Sequence, residues 1–138
     1  MTYAINIRKV IPLPVEETFA ILSDHNRLGP ILGLPVKRVR EGEGSVNGLG
    51  SVRKMAFWPI DFDETVTAIE PNALIEYKIT RGSPLKNHRG TVAFSAQGDQ
   101  ATEVIWDIEY DMGVPVLGSV IKRVLTIAIG KGLGKIGR

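Results

Sequence analysis

From Ile5 to Ser23 the spacing of apolar residues changes partway along. Ile5 and Ile7 lie two apart, as on one face of a strand, whereas Val15, Phe19 and Leu22 fall at i, i+4 and i+7, one face of a helix. Pro14 suits the first turn of that helix, Glu16 and Glu17 complement its positive end, and Gly29-Pro30 is expected to stop it or a short successor. The pattern predicts a helical segment near 14 to 30, broken around Asp24 to Asn26. Alternating runs then predict strands at about 36 to 41, 50 to 57, 62 to 70, 74 to 81, 88 to 96 and 102 to 111, with "WPID", "EPNA", "GSPLKN" and "QGDQ" among the turns. Connections this short imply antiparallel neighbours. Beyond Gly113 and Pro115 the helical period returns: Leu117, Val120, Ile121, Val124, Leu125 and Ala128 form one stripe, with Lys122 and Arg123 off it. Gly130, Gly132, Gly134 and Gly137 predict fraying towards the end of this helix.

The fold class expected is α+β: a seven-stranded antiparallel sheet curved around a long C-terminal helix, with two short helices after the first strand. Residues 1–138 read as a single domain, with no internal repeat and no linker. A twisted sheet curled around one long helix leaves a hollow between them. The opening "IPLPVEETFAILSD", the "ETVTAIEPNALIEYKI" and "GTVAFSAQGDQATEVIWDIEY" hairpins and the closing helix resemble the polyketide cyclase/dehydrase and lipid-transport family of the START-like (SRPBCC) superfamily. The resemblance covers nearly the whole chain. It implies the helix-grip fold of the birch-pollen allergen and a hollow that holds sterols, lipids, polyketides or hormones, with cyclisation or dehydration in some members. Where that family often has a tryptophan shortly after the first helix's aspartate, this chain has Ile31.

Composition narrows the chemistry. A hydrophobic content of 43% over 138 residues supports a proper core. The absence of cysteine excludes disulfides and thiol catalysis and is compatible with a reducing cytoplasm, the expected location. There is no secretory signal pattern at the N-terminus. The most apolar stretch, "GVPVLGSVIKRVLTIAIG", carries Lys122 and Arg123 at its centre, where each charge costs about 3 kcal/mol in a bilayer, so no stable membrane insertion is expected. The formal charge is only +2, and the basic residues are scattered, so nucleic acid is not an expected partner.

Strand alternation predicts the inward-facing side chains. Val104, Trp106, Ile108 and Tyr110 share one face, as do His88, Gly90, Val92 and Phe94; Ile75, Tyr77, Ile79 and Arg81; and Phe62, Glu64, Val66 and Ala68. Symmetric turns pair Phe94 with Val104, Ala68 with Ile75, Phe62 with Arg81 and Met55 with Glu64, with Arg53 diagonal to Glu64 and His88 opposite Tyr110. One end of the hollow then collects Glu64, Arg81, His88 and Tyr110, and the other Tyr77, Val92, Phe94 and Trp106; these eight are the candidate ligand contacts. Two readings of the polar end remain open: an anchor for a ligand oxygen, or a Glu64–Arg81 ion pair beside a His88–Tyr110 hydrogen bond.

Weaker signals carry less. His25 beside Asp24 reads either as a pocket-mouth residue or as part of a turn or cap. Asp61, Asp63 and Glu64 do not match a calcium loop, and His25 and His88 lack zinc-site spacing, so no metal and no cofactor is expected. "GEGSVNGLG" leads into a strand rather than a helix and lacks the helix end that would hold phosphate. No catalytic residue is assigned. The expected function is binding or transport of a small hydrophobic molecule in the hollow. The alternatives are a cyclase- or dehydratase-type enzyme using the same groups as acid and base, and an interaction or membrane-surface module using the basic C-terminal helix.

Overall fold

A computed structural model of the chain describes residues 2–57 and 60–137. The elements are β1 (Thr2–Ile11), α1 (Val15–Ser23), α2 (His25–Leu32), β2 (Val36–Arg40), β3 (Val52–Phe57), β4 (Ile60–Glu70), β5 (Leu74–Arg81), β6 (Lys86–Ala96), β7 (Thr102–Asp111) and α3 (Pro115–Lys135). The strands form one seven-stranded sheet in the order β1-β7-β6-β5-β4-β3-β2, every neighbouring pair antiparallel. This is the architecture expected, although Trp58 and Pro59 of the "WPID" turn lie outside the described residues.

The break between the two short helices falls at Asp24. Its carboxylate accepts the Asn26 N–H at 3.0 Å and so caps α2. Pro30 does not stop α2, contrary to expectation; the helix runs on to Leu32 and ends at Gly33, whose φ of 74° lets its N–H reach the Gly29 carbonyl at 2.8 Å. The long helix is also longer than its glycines suggest. Ile129, Leu133 and Ile136 are buried, and Gly132 lies so close to Ile31 that a Cβ there would overlap the Ile31 carbonyl. Close packing against α2 outweighs the weak helical propensity of glycine. Nearer its start, Gly118 sits against the Tyr3 ring of β1, again with no room for a Cβ. The helix therefore leans on β1 and α2.

Local shifts in pairing set which side chains face the helix. The β6–β7 hairpin pairs Phe94 with Val104 as expected, but the pairing shifts between Lys86 and Arg89, where Asn87 has a φ of 52°, and His88 has no pairing partner at Tyr110. In β4–β5, Glu70 pairs with Leu74 and Ala68 with Glu76 rather than Ile75; Asn72 at a φ of 61° closes the shorter loop. A shift near Thr67 restores the expected register at Val66–Tyr77 and Glu64–Ile79. A second shift, at Thr80, pairs Arg81 with Asp63 instead of Phe62. In β3–β4, Met55 pairs with Phe62, and Arg53 lies directly opposite Glu64. Among the described residues no helix is long and apolar enough to cross a membrane.

The two glycines of α3 make a matched test. Gly130→Ala adds a methyl where nothing lies within 4 Å and is expected to raise stability by about 0.5–1 kcal/mol. Gly132→Ala drives the same methyl into the Ile31 carbonyl and is expected to lower it by about 1–3 kcal/mol. Urea denaturation of both variants checks the sign of each change.

Candidate functional site

Because α3 leans to one side, the concave face under its first half is left uncovered. A cavity of about 280 Å³ lies there. Its roof is the α3 stripe of Leu117, Val120, Ile121, Val124, Leu125 and Ala128, and its sides include Leu32, Leu34 and the 83–85 segment. The floor is sheet, where Met55, Phe62, Ile79, Trp106 and Ile108 surround Arg53, Glu64, Tyr77 and His88. Leu117, Val120 and Val124 also reach solvent, so the hollow opens alongside the helix. The structure thus has both an open cavity and an exposed apolar stripe on α3.

The polar groups of the floor are held by one another. Arg53 and Glu64 are opposite on β3 and β4, with side chains only 5% and 7% exposed; the guanidinium Nε donates to Glu64 Oε1 at 2.7 Å, and Nη2 lies 2.7 Å from the same oxygen. The guanidinium also stands 4.6 Å from the centre of the Tyr77 ring. Tyr77 occupies space that only Gly90 leaves open, since a Cβ on that residue would overlap the phenol. Its hydroxyl accepts the Trp106 indole N–H at 2.8 Å. Burial, and secondarily the Glu64 charge, push the Tyr77 phenol well above its ordinary range, so it stays protonated.

His88 completes the floor. Its Nδ1 accepts the Ile79 N–H at 3.1 Å, so the proton of the neutral ring sits on Nε2, which lies 4.0 Å from Glu64 Oε2. Burial lowers the His88 pKa, Glu64 raises it, and Arg53 lowers it, with a net downward shift. The result is a buried imidazole N–H and a carboxylate oxygen facing the same small gap.

The structure places the eight candidate contacts in three settings. Glu64, Tyr77, His88 and Trp106 line the cavity. Val92, Phe94 and Tyr110 lie on the same concave face but in filled core: Phe94 meets Phe19 edge-on at 5.1 Å, and Tyr110 stacks on Tyr3 at 5.4 Å while donating to the Gly118 carbonyl at 2.8 Å. Arg81 requires a correction. The shift at Thr80 turns it to the outer face, where it is exposed and its Nε and Nη2 donate to Asp63 and Asp61 at 2.8 and 2.7 Å. Neither the Glu64–Arg81 pair nor the His88–Tyr110 hydrogen bond forms; Arg53 takes the place of Arg81.

Arg53 and Met55, set beside Glu64 by the expected turn register, also line the cavity from one side of "VRKMAF", whereas Leu32, Leu34 and the 83–85 segment lie outside the strands and have no alternation to mark them as cavity-lining. His25 does not line the cavity. It is buried at the start of α2, with Nε2 2.8 Å from Ser51 Oγ, and burial, then Arg53 and Arg38, push its pKa down to about 3. Among the described residues no group of three or more metal-ligating side chains is placed to hold an ion.

Comparison with known proteins agrees with this fold. Residues 4–138 match the family described as polyketide cyclase / dehydrase and lipid transport, and the chain belongs to that family. The fold is similar to that of the Zhui aromatase/cyclase from a Streptomyces species, with a TM-score of 0.77 and 12% identity over 98% of this chain and 92% of that one. Norcoclaurine synthase from Thalictrum flavum is similar at a TM-score of 0.71 and 14% identity, covering 98% and 92%. A Thermus thermophilus protein is similar at a TM-score of 0.77 and 16% identity, covering 96% and 92%. At such identities the likeness concerns the fold. No curated protein sequence matches the chain significantly.

The buried pair yields a double-mutant test. Arg53→Met strands the Glu64 carboxylate and is expected to cost about 3–5 kcal/mol, much of it recovered in Arg53→Met with Glu64→Gln. Arg81→Met, at an exposed pair, is expected to leave the unfolding midpoint nearly unchanged. Chemical denaturation of the three variants beside the wild type checks both.

The histidines set an acid limit. In the unfolded chain an imidazole titrates near pH 6.5, whereas His25 is held down to about 3 and His88 is also lowered. The unfolded state binds more protons below that point. Stability is therefore full above about pH 6.5 and falls as pH drops through that value, by up to about 1.4 kcal/mol per pH unit for each histidine. His25→Gln, which keeps a partner for Ser51, is expected to flatten the dependence between about pH 6.5 and 5, as read from urea midpoints.

Proposed function

We propose that this member of the family binds a small, largely apolar molecule in the cavity between α3 and the floor formed by β3 to β7. The observation that carries the reading is the cavity itself: about 280 Å³, roofed by aliphatic side chains and floored by a few fixed polar groups. Burial of apolar ligand surface, at about 25 cal/mol per Å², supplies the driving force, and the floor supplies orientation. Acid–base chemistry on the bound molecule is a second reading. One observation favours it: Glu64 Oε2 has no hydrogen-bond partner among the described residues and faces the hollow beside a neutral imidazole.

The neutral dye N-phenyl-1-naphthylamine tests the first reading. It is expected to bind saturably, at one molecule per chain, with a gain in fluorescence. Ala128→Trp fills the hollow from the α3 side and is expected to weaken binding by about tenfold or more while circular dichroism stays native. Unchanged affinity in that folded variant would place the dye elsewhere and overturn the reading.

A further inference from the structure

The gap between His88 and Glu64 specifies a chemical group. His88 Nε2 carries the ring proton, because Nδ1 is occupied by the Ile79 N–H, and so presents a donor. Glu64 Oε2 presents an acceptor, because both contacting nitrogens of Arg53 are engaged on Oε1. The two atoms are 4.0 Å apart, too far to bond directly. An oxygen set about 2.8 Å from each would see them at an angle of roughly 90°, an open geometry for accepting one hydrogen bond and donating another.

We propose that the cavity selects apolar molecules bearing a hydroxyl, alcohol or phenol, whose oxygen bridges His88 Nε2 and Glu64 Oε2. This deepens the binding reading above and rests on it. A hydroxyl is the group that satisfies both sides: its oxygen accepts from the imidazole, and its proton goes to the carboxylate. A ketone or ether oxygen accepts from His88 but turns a lone pair towards Glu64. A carboxylate sets a second anion against Glu64, with Arg53 already committed. An ammonium suits Glu64 but meets the His88 N–H head on. The surroundings sharpen the choice, because Glu64 and His88 are both largely buried and a ligand that fills the hollow displaces the water that an unmatched polar group there would turn to.

Competition against the bound dye, at pH 7.5, measures the preference with three ligands of one shape: 2-naphthol, 2-acetylnaphthalene and 2-naphthoate. In the wild type, 2-naphthol is expected to bind about tenfold or more tighter than the ketone, and the carboxylate weakest. Glu64→Gln turns the acceptor into a donor if the side-chain oxygen stays on Arg53, so the preference is expected to reverse in favour of the ketone. His88→Phe removes the donor that both oxygens accept from, so both ligands are expected to bind more weakly while naphthol, which still donates to Glu64, keeps its preference over the ketone. Equal affinities of the two in the wild type, or tightest binding by the carboxylate, would overturn the hydroxyl proposal while leaving the cavity reading intact. Failure of all three ligands and the dye to bind would overturn both. The wild-type ratio decides the matter should either variant fail to fold.

Discussion

A single helix has to cover a curved seven-stranded sheet, and the cavity follows from that mismatch. Strands spaced about 4.8 Å apart make a concave face far wider than a helix of about 10–12 Å diameter can fill. The chain resolves this unevenly. Gly118 and Gly132 let α3 press against Tyr3 and Ile31, which draws the helix towards β1 and α2. Phe19 of α1 and Tyr3 of β1 then plug the concave face over Phe94 and Tyr110. What remains unfilled is the stretch over β3 to β7, and there the hollow lies. The small side chains in α3 are thus placement devices, and the position of the site depends on them.

The floor of the hollow is polar at a cost that the sheet limits by pairing. Taking a guanidinium and a carboxylate out of water is unfavourable by several kcal/mol per ion, and their attraction offsets this only with good geometry. Direct opposition of Arg53 and Glu64 on neighbouring strands provides that geometry, and the Tyr77 face provides a second favourable contact for the cation. Tyr77 is fixed in turn by Gly90 below it and by the Trp106 N–H at its hydroxyl. Five adjacent strands, β3 to β7, therefore define one rigid polar patch. Its rigidity leaves Glu64 Oε2 and His88 Nε2 facing each other without contact.

Strand alternation in the sequence went far towards this picture. Period-two patterns put Glu64, Tyr77, His88 and Trp106 on the concave face, and all four line the cavity. The same patterns could not separate cavity wall from packed core, because Val92, Phe94 and Tyr110 share that face and are covered by residues distant in sequence. Arg81 was misplaced for a different reason. A single unpaired residue at Thr80 inverts the side on which everything after it points, and Thr80 itself looks like an ordinary strand residue. The similar pairing shift near His88 moved it from Tyr110 towards Tyr77 and Ile79. Turn residues such as Asn72 and Asn87 showed where loops fall but not the number of residues they take up.

The same chemistry has opposite meaning on the two faces of the sheet. Arg81 with Asp61 and Asp63, and Arg89 with Glu76, are exposed pairs on the convex side, where water competes for every contact and salt screens the rest. They keep that face soluble and decide little about the fold. Arg53 and Glu64 have no such competition. Because the cation is drawn onto one carboxylate oxygen, the pair is neutral overall while still exposing an acceptor to the hollow. Next to it the imidazole, held uncharged by burial, exposes a donor. A site built this way has hydrogen-bonding direction without net charge, so a charged ligand would enter it with nothing to balance its own desolvation, whereas an uncharged ligand with one polar group loses little on entry.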